Sequence, residues 1–268
     1  EKQERMNIYK LVLRFFKRCY AIPSSIVQNY IRTVHMQNMY ISQSNVVAMT
    51  HKETFGKYKN KHMNEEIAII ATGPSLNQYK PIESLINIGV NKAILYNKVK
   101  FNYFFVIDYN ATKNYIKEVA KYSELKKFYG QLPLKPFGCK EISNDNIIMP
   151  ESLILKHGAQ KYYIYGKWLI TPLFFNPDID KTWLADGGSV IFSAMQFALF
   201  TNPKRIYLVG CDCSTGYYDE ANPKVKPNKE LLKSWKELKK FADIYYPETE
   251  IISVNPVGLK GLFKDMYQ

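Results

Sequence analysis

The sequence has no run of about 18 apolar residues and no recognisable signal peptide, so we expect neither a membrane-spanning helix nor secretion. Its four cysteines and four histidines are not spaced as zinc ligands, and we predict no metal site built from them. Zinc fingers, ribonucleoprotein-type aromatic motifs and basic zippers are also missing, so we expect no nucleic acid partner. These absences favour a cytoplasmic protein with reduced core thiols.

Positive charge is what the chain has in excess. Its 268 residues include 37 Lys and Arg against 24 Asp and Glu, which gives a formal net charge of +13. A basic protein attracts anionic partners. Because no nucleic-acid module is present, the charge favours either a membrane surface or phosphorylated substrates.

Residues 1–64 are basic and lack strand patterning, and we interpret them as a helical extension of a domain that spans residues 65–268. Apolar residues follow the spacing of one helix face. They are Ile8, Leu11, Val12, Phe15, Phe16 and Cys19. Lys and Arg occupy the other side, which favours an interfacial helix that holds residues 6–20 at the inner face of the cell membrane. Packing on the same domain, or on a second subunit of a homo-oligomer, is equally open. Residues 43–62 are polar and predict a linker or a loop.

From residue 65, short β-rich runs alternate with helical stretches. This alternation predicts a Rossmann-like α/β fold, with a mainly parallel sheet and helices on both faces. The predicted strands are Glu66–Ala71, Lys92–Tyr96, Tyr103–Ile107, Lys127–Tyr129, Ile147–Met149, Tyr162–Tyr165, Arg205–Val209 and Glu250–Val254. The predicted helices are Ala111–Tyr122, Ser189–Phe200 and Lys229–Tyr245.

The loop Ala71–Leu76 follows the first predicted strand, and ligands bind beyond the carboxyl ends of parallel strands. Gly73 allows a sharp turn and the close approach of a ligand. Pro74 and Ser75 then begin a helix, whose free N–H groups favour phosphate. The loop is neither a G-x-G-x-x-G fingerprint nor a Walker loop, and a tight turn without a ligand fits the pattern equally well.

Other polar residues are expected at the same edge. Asn91 lies at the entry of the second predicted strand and Asp108 at the exit of the third. Asp108 suits a ribose, base or metal contact, but it equally suits a helix N-cap, and Asn91 equally suits a turn.

A second turn that could bind an anion is Asp186-Gly187-Gly188-Ser189, which enters a predicted helix. Later in the chain, Asp212 ends a strongly apolar strand. A polar loop that includes Tyr217, Tyr218 and Asp219 follows it and is suited to closing over a substrate.

As an ordered set, these segments resemble the bacterial sialyltransferases of glycosyltransferase family 42 and the related hydroxymethylpterin pyrophosphokinase domain. The resemblance covers about residues 65–260. It rests on the opening Ile69-Ile70-Ala71-Thr72-Gly73-Pro74-Ser75-Leu76, the stretch from Gly187 to Asp212, and the ending Val254-Asn255-Pro256. By position, the resemblance implies a nucleotide-sugar site. Its residues would be Thr72, Gly73, Pro74, Ser75, Asn91, Asp108, Gly187, Gly188 and Ser189.

The resemblance implies a glycosyltransferase with a nucleotide-sugar donor, a CMP-sugar being favoured, that extends a bacterial surface polysaccharide, lipopolysaccharide or capsule. The acceptor would be a glycan or a lipid-linked glycan. Because no histidine follows His157, we expect a carboxylate base, Asp212 or Asp219, with Asp108 and Asp186 as further candidates. Tyr217 or Tyr218 would steady the leaving phosphate. No cofactor is certain, although a divalent metal is possible. The alternatives are a pterin-type pyrophosphokinase that uses ATP and a non-catalytic nucleotide-binding protein.

Overall fold

The computed structural model describes residues 41–131, 149–165, 174–223 and 226–268, and every structural statement refers to these residues. Residues Gln43–Gln268 form a compact unit. The predicted amphipathic helix of residues 6–20 and most of the predicted strand Ile147–Met149 lie outside the described residues. No helix among the described residues is long and apolar enough to cross a membrane.

The described residues contain a nine-stranded sheet in which every pair of neighbours is parallel, in the order β6-β5-β4-β3-β2-β1-β7-β8-β9. The strands are β1 Glu66–Ile70, β2 Ile86–Val90, β3 Tyr103–Val106, β4 Lys126–Gln131, β5 Gln160–Tyr165, β6 Leu184–Ala185, β7 Arg205–Val209, β8 Glu250–Val254 and β9 Lys264–Met266. The predicted parallel sheet is therefore confirmed.

Six α-helices accompany the sheet in the described ranges. They are α1 (residues 41–55), α2 Tyr109–Thr112, α3 Ile116–Ala120, α4 Glu151–Lys156, α5 Ile191–Phe200 and α6 Lys229–Tyr245. Short 3-10 helices span Gly56–Tyr58, Pro74–Gln78 and Asn91–Leu95. The predicted helices at α5 and α6 are confirmed, whereas the stretch predicted as one helix from Ala111 is divided between α2 and α3.

Side chains of the central strands alternate between two apolar layers, as the pleat of a strand requires. On β1, Ile67 and Ile69 join the core that contains α5 and α6, whereas Ala68 and Ile70 join a core on the opposite face. Every residue of α5 is buried. The apolar run in β1 is therefore a strand covered on both faces, as the sequence predicts.

The position of the second strand was predicted wrongly. Residues Asn91–Leu95 form a 3-10 helix, and β2 lies just before it at Ile86–Val90. Asn87 and Gly89 interrupt the apolar run of β2, and both are accommodated by packing. The Asn87 Nδ2 donates to the carbonyl of Lys100 at 2.9 Å, and Gly89 faces the ring of Phe101. Asn91 therefore follows the carboxyl end of β2 and does not enter a strand.

The predicted linker at residues 43–62 is also wrong, because most of this segment is helical and packs on the sheet. Val47, His51 and Phe55 lie one above another on α1 and are buried. His51 Nδ1 lies 2.7 Å from the carbonyl of Thr182, and its Nε2 accepts the N–H of Tyr163 on β5 at 2.8 Å. Residues 43–64 thus belong to the same compact unit as the sheet. The short edge strands β6 and β9 were not predicted.

Candidate functional site

The strand order changes direction between β1 and β7, which is where an open parallel sheet forms a crevice beyond its strand ends. The chain leaves β1 towards β2 and the β6 edge, and it returns to the other side of β1 as β7. The loops that follow these two strands therefore diverge, which makes this the point of the sheet edge where open parallel sheets bind ligands. The loop after β1 contains Gly73, and the loop after β7 contains Gly210 and Asp212.

These two loops touch through their backbones at the crevice. Gly73 has φ −65°, which any residue adopts, so its lack of a side chain has a steric reason. A Cβ at Gly73 would lie 2.6 Å from the Gly210 carbonyl oxygen and 2.6 Å from Cγ of Asp212. Gly210 has φ +63°, and its own Cβ would lie 2.6 Å from the carbonyl oxygen of Ala71. The glycines thus permit contact between two loops.

Asp212 accepts two hydrogen bonds from the loop after β1. Its Oδ2 accepts the N–H of Ser75 at 2.8 Å, and its Oδ1 accepts the Ser75 hydroxyl. The Asp212 side chain is buried. Burial raises the pKa of the Asp212 carboxyl, and the two hydrogen bonds from Ser75 oppose that rise. Both carboxylate oxygens therefore already have a partner within the protein.

The backbone donors predicted for phosphate also have partners. The N–H of Gly73 donates to the Gly210 carbonyl at 2.8 Å, and that of Ser75 donates to Asp212. The N–H of Gly188 donates to Oδ1 of Asp186 at 2.9 Å. The prediction that these N–H groups are free is therefore wrong. Those of Gly73 and Ser75 donate to residues distant in sequence, and that of Gly188 donates within its own turn. Thr72, which has no hydrogen bond from its N–H or hydroxyl to other described residues, keeps free donors.

The carboxyl end of β2 contributes an amide and a cation. Asn91 has φ +49°, a left-handed conformation that asparagine tolerates better than most residues, and its side chain has no hydrogen bond to other described residues. Lys92 follows it, and its ammonium forms an ion pair with Asp219. The hydrogen bond that Lys92 donates to Asp219 raises the pKa of Lys92, so the ammonium is charged at neutral pH.

Residues 213–223, which we call the covering loop, cross from β7 to the loops after β1 and β2. The N–H of Tyr218 donates to the Thr72 carbonyl at 2.9 Å, and Asn77 Nδ2 donates to the Tyr218 carbonyl at 2.6 Å. The ring of Tyr218 packs edge-on against Tyr96 at 6.2 Å. With the ion pair of Lys92, these contacts bring Tyr218 and Asp219 beside Thr72, as a loop that closes over a substrate would require.

Two more predicted positions lie along the same edge of the sheet. Asp108 follows β3, and the turn from Asp186 to Ser189 follows β6. Gly188 has φ +92°, and a Cβ there would meet nothing within 4 Å, so the turn faces open space. The hydroxyl oxygen of Ser189 accepts the N–H of Ile191 at 3.4 Å. The Gly187 carbonyl in this turn accepts the Ser234 hydroxyl of α6 at 2.8 Å, so the turn follows β6 but contacts α6.

Comparison with known proteins assigns no family to this chain. No family model matches the chain, and no curated protein matches it significantly. A solved structure that it resembles is the MAf glycosyltransferase from Magnetospirillum magneticum AMB-1, at 16% identity and a TM-score of 0.48. The match covers 83% of this chain but only 38% of that chain, so this chain spans well under half of its length.

Two further features bear on the site. Within the described residues, no group of three His, Cys, Asp or Glu is arranged as a metal site. A cavity of about 430 Å³ lies apart from the crevice, lined largely by the segments that lead into the amino ends of β3 and β4. A ligand held by the strand-end loops would therefore lie outside this cavity.

Sequence reasoning did not select Lys92, which the structure pairs with the predicted residue Asp219. Lys92 was assigned to a strand, and its position after Asn91 would have identified it if β2 had been placed correctly.

Proposed function

We propose that this protein is a glycosyltransferase that transfers a sugar from a nucleotide donor to a hydroxyl group. The observation that carries the proposal is the meeting of three strand-end loops at the crevice. They bring the unpartnered amide of Asn91, the charged ammonium of Lys92 and the carboxylate of Asp219 next to Thr72. In glycosyl transfer a cation can stabilise the leaving phosphate and a carboxylate can accept the proton of the acceptor hydroxyl.

Lys92 is the group proposed to stabilise the leaving phosphate. The N–H groups of Gly73 and Gly188 already donate within the protein, so they would have to give up their acceptors to bind an anion. The side chain of Lys92 is 43% exposed, and its only partner among the described residues is Asp219. A phosphate that reaches the crevice would compete with Asp219 for this ammonium. The phenols of Tyr217 and Tyr218 add neutral donors on the covering loop.

Asp219 is the proposed base, and this choice follows from access. Its side chain is 36% exposed, whereas Asp212 is buried with both oxygens occupied by Ser75. When Lys92 turns to the donor phosphate, Asp219 is released to accept the proton of the acceptor hydroxyl. The acceptor oxygen then bonds to the anomeric carbon, and the bond from that carbon to the phosphate oxygen breaks with its electron pair. We propose an orienting role for Asp212.

The finer identity of the substrates rests on the sequence resemblance. It favours a CMP-sugar as donor and a growing surface polysaccharide, lipopolysaccharide or capsule as acceptor. Attachment of residues 6–20 to the inner face of the membrane would keep the enzyme near a lipid-linked acceptor. A divalent metal and a homo-oligomer remain proposals of the same kind.

A thermal-shift panel of CMP, CDP, UDP, GDP and ATP tests the proposal, followed by hydrolysis assays with the matching nucleotide-sugars. We expect stabilisation by at least one of the first four nucleotides. Lys92→Met should weaken that binding about 10- to 100-fold, because a charge-assisted hydrogen bond is lost. Lys98→Met is the matched control, since Lys98 lies over the ring of Tyr96 on the same segment and should leave binding unchanged.

Two outcomes would contradict the proposal. Stabilisation by ATP alone would favour the pyrophosphokinase, and the absence of any shift would exclude both enzymes. If Lys92→Met and Lys98→Met changed nucleotide affinity equally, Lys92 would not be a phosphate ligand, although the protein would still bind a nucleotide.

A further inference from the structure

The outer face of α6 carries a straight row of lysines. Positions 229, 233, 236 and 240 of one helix fall within about 60° of one another and extend over about 16 Å. We call the four residues at these positions the lysine row, and all four are exposed: Lys229, Lys233, Lys236 and Lys240. Ile244 lies on the same face, one turn after the row, and is 70% exposed.

The packing of α6 keeps this face on the outside of the molecule. The opposite side of the helix is buried in the core on one face of the sheet, through Trp235, Leu238 and Phe241. The helix begins beside the loop after β7, where the N–H of Asn228 donates to the Cys213 carbonyl at 3.0 Å. The lysines therefore cannot turn inward, and the first residues of α6 lie near the carboxyl edge of the sheet.

Most of the lysine row has no neutralising partner in the described part of the chain. No hydrogen bond or ion pair to other described residues is formed by Lys229, Lys233 and Lys236. Lys240 pairs with Glu237 at 3.1 Å. Beside the row, Lys239 pairs with Asp243 at 2.8 Å. The acidic residues of the C-terminal half thus bind lysines there and leave three ammonium groups to the solvent.

The arrangement is unfavourable for an isolated helix. Like charges three or four residues apart repel each other, as Lys229 and Lys233 do, and also Lys233 and Lys236. Lys229 lies in the first turn, where the helix dipole disfavours a cation, although Glu230 in the same turn is favourable. An anionic surface that covered the row would remove this repulsion, so the row is suited to a partner of negative charge.

The side chains of this face favour a lipid bilayer over nucleic acid. Among them are no arginine and no exposed aromatic ring between the lysines, the groups that commonly read base edges and stack on bases. Lysines near a membrane are attracted to anionic headgroups. Ile244 and Tyr245, which is 54% exposed, follow the row, and such side chains enter the headgroup region.

We propose that the lysine row and Ile244 form a docking surface for a bilayer that contains anionic phospholipids. This surface is separate from residues 6–20, and it does not depend on the proposed transferase activity. The headgroups would lie along the row, on the side of the sheet that α6 covers. Because α6 begins near the carboxyl edge, the strand-end loops would then lie close to the membrane surface.

Co-sedimentation of the full chain with vesicles tests this surface, without any nucleotide present. Vesicles of phosphatidylcholine are compared with vesicles of phosphatidylcholine and phosphatidylglycerol, and the wild type should bind the anionic mixture more tightly. The test variant combines Lys229→Gln, Lys233→Gln and Lys236→Gln. It should bind the anionic vesicles about 100-fold more weakly, because each lysine contributes about fivefold. Glutamine and lysine have similar helix propensities, so the variant should keep its melting temperature.

Two control variants separate the position of the charge from its amount. The first combines Lys113→Gln, Lys117→Gln and Lys156→Gln, which removes three exposed lysines beside α3 and on α3 and α4. These helices pack on the opposite face of the sheet from α6, so vesicle binding should stay within a few-fold of the wild type. The second control replaces the three test lysines by arginine and should keep the binding, because the charge is retained.

Three results would overturn the inference. The first is a wild type that does not prefer anionic vesicles. The second is a glutamine variant of the row that binds them as well as the wild type, or no worse than the control on α3 and α4. The third is unchanged vesicle binding with lost affinity for duplex DNA or RNA, which would make the row a nucleic-acid surface. The nucleotide panel described above remains a separate test, so the proposed function and this docking surface can fail independently.

Discussion

Replacing Asp212 by asparagine distinguishes two roles for this carboxylate. It could act as the base, or it could orient the loop after β1 through its hydrogen bonds with Ser75. Asp212 accepts both the N–H and the hydroxyl of Ser75. An asparagine can keep both bonds, because its oxygen accepts the N–H while its amide donates to the hydroxyl oxygen. Asp212→Asn therefore removes the charge and leaves the geometry, whereas Asp212→Ala removes both.

The expected effect on stability follows from the balance of burial and hydrogen bonding. Burial raises the pKa of Asp212 above 3.8, although the bonds from Ser75 oppose the rise. Between pH 3.8 and the folded-state pKa the folded chain holds more protons than the unfolded one, so ionisation of Asp212 lowers the stability as pH rises. Asp212→Asn abolishes this ionisation and should be at least as stable as the wild type at pH 7. Asp212→Ala should lose about 1–3 kcal/mol, because the N–H of Ser75 stays buried without an acceptor.

The assay combines urea unfolding at pH 7 with turnover of the donor identified by the nucleotide panel. If Asp212 only orients the loop after β1, turnover of Asp212→Asn should stay within a few-fold of the wild type. If Asp212 is the base, turnover falls by about 10²–10⁴ while the protein stays folded. A loss of that size would refute the orienting role. Equal destabilisation by Asp212→Asn and Asp212→Ala would refute the exchange of hydrogen bonds on which the argument depends.

Three further predictions follow from the same geometry. Asp219→Asn should lower turnover at least 100-fold with little change in stability, as an exposed base requires, and unchanged turnover would exclude Asp219. Gly73→Ala should destabilise the protein by about 1–3 kcal/mol in urea unfolding, because the new Cβ would lie 2.6 Å from a backbone oxygen. Gly56→Ala is the control and should be neutral or stabilising, because its Cβ would have only one contact, at 4.0 Å. Equal effects of the two variants would contradict the packing argument. Burial lowers the pKa of His51 from 6.5 to about 4, so the unfolded chain binds a proton at a higher pH than the folded chain does. About 3 kcal/mol of stability should therefore be lost as pH falls from 6.5 to 4. A His51→Gln variant with the same pH dependence as the wild type would refute this.

The fold could be predicted where local pattern and tertiary packing agree. The β1 and β7 runs are apolar on both faces, and each is a central strand. The β2 strand escaped prediction because its polar Asn87 and its Gly89 are accommodated by the segment that leads into β3, a contact that no periodicity reveals. The edge strands β6 and β9 have only two and three residues, too short to produce a pattern.

The α1 helix was missed for a different reason. Its buried face is built from Val47, His51 and Phe55, whereas the apolar Val46 and Met49 beside them are exposed, so the apolar residues do not follow one helix face. The histidine in the middle is typical of a surface, yet its ring is buried because backbone groups of β5 and of the segment before β6 satisfy both nitrogens. Only those distant hydrogen bonds make His51 a core residue, and they cannot be inferred from the spacing along one helix.

The same limit decides what can be said of the candidate site. Parallel strands bring their carboxyl ends to one edge, so the sequence could predict that Thr72, Asp108 and Asp212 share it. It could not predict that the N–H of Gly73 donates to Gly210, because that acceptor is more than 130 residues away. In the proposed mechanism a side chain would supply the positive charge beside the leaving phosphate, and Lys92 is a cation that an ion pair with Asp219 holds at this edge of the sheet. The ion pair with Asp219 then has a second consequence. A phosphate that draws the ammonium away also frees the carboxylate, so donor binding itself would prepare the base for the acceptor hydroxyl.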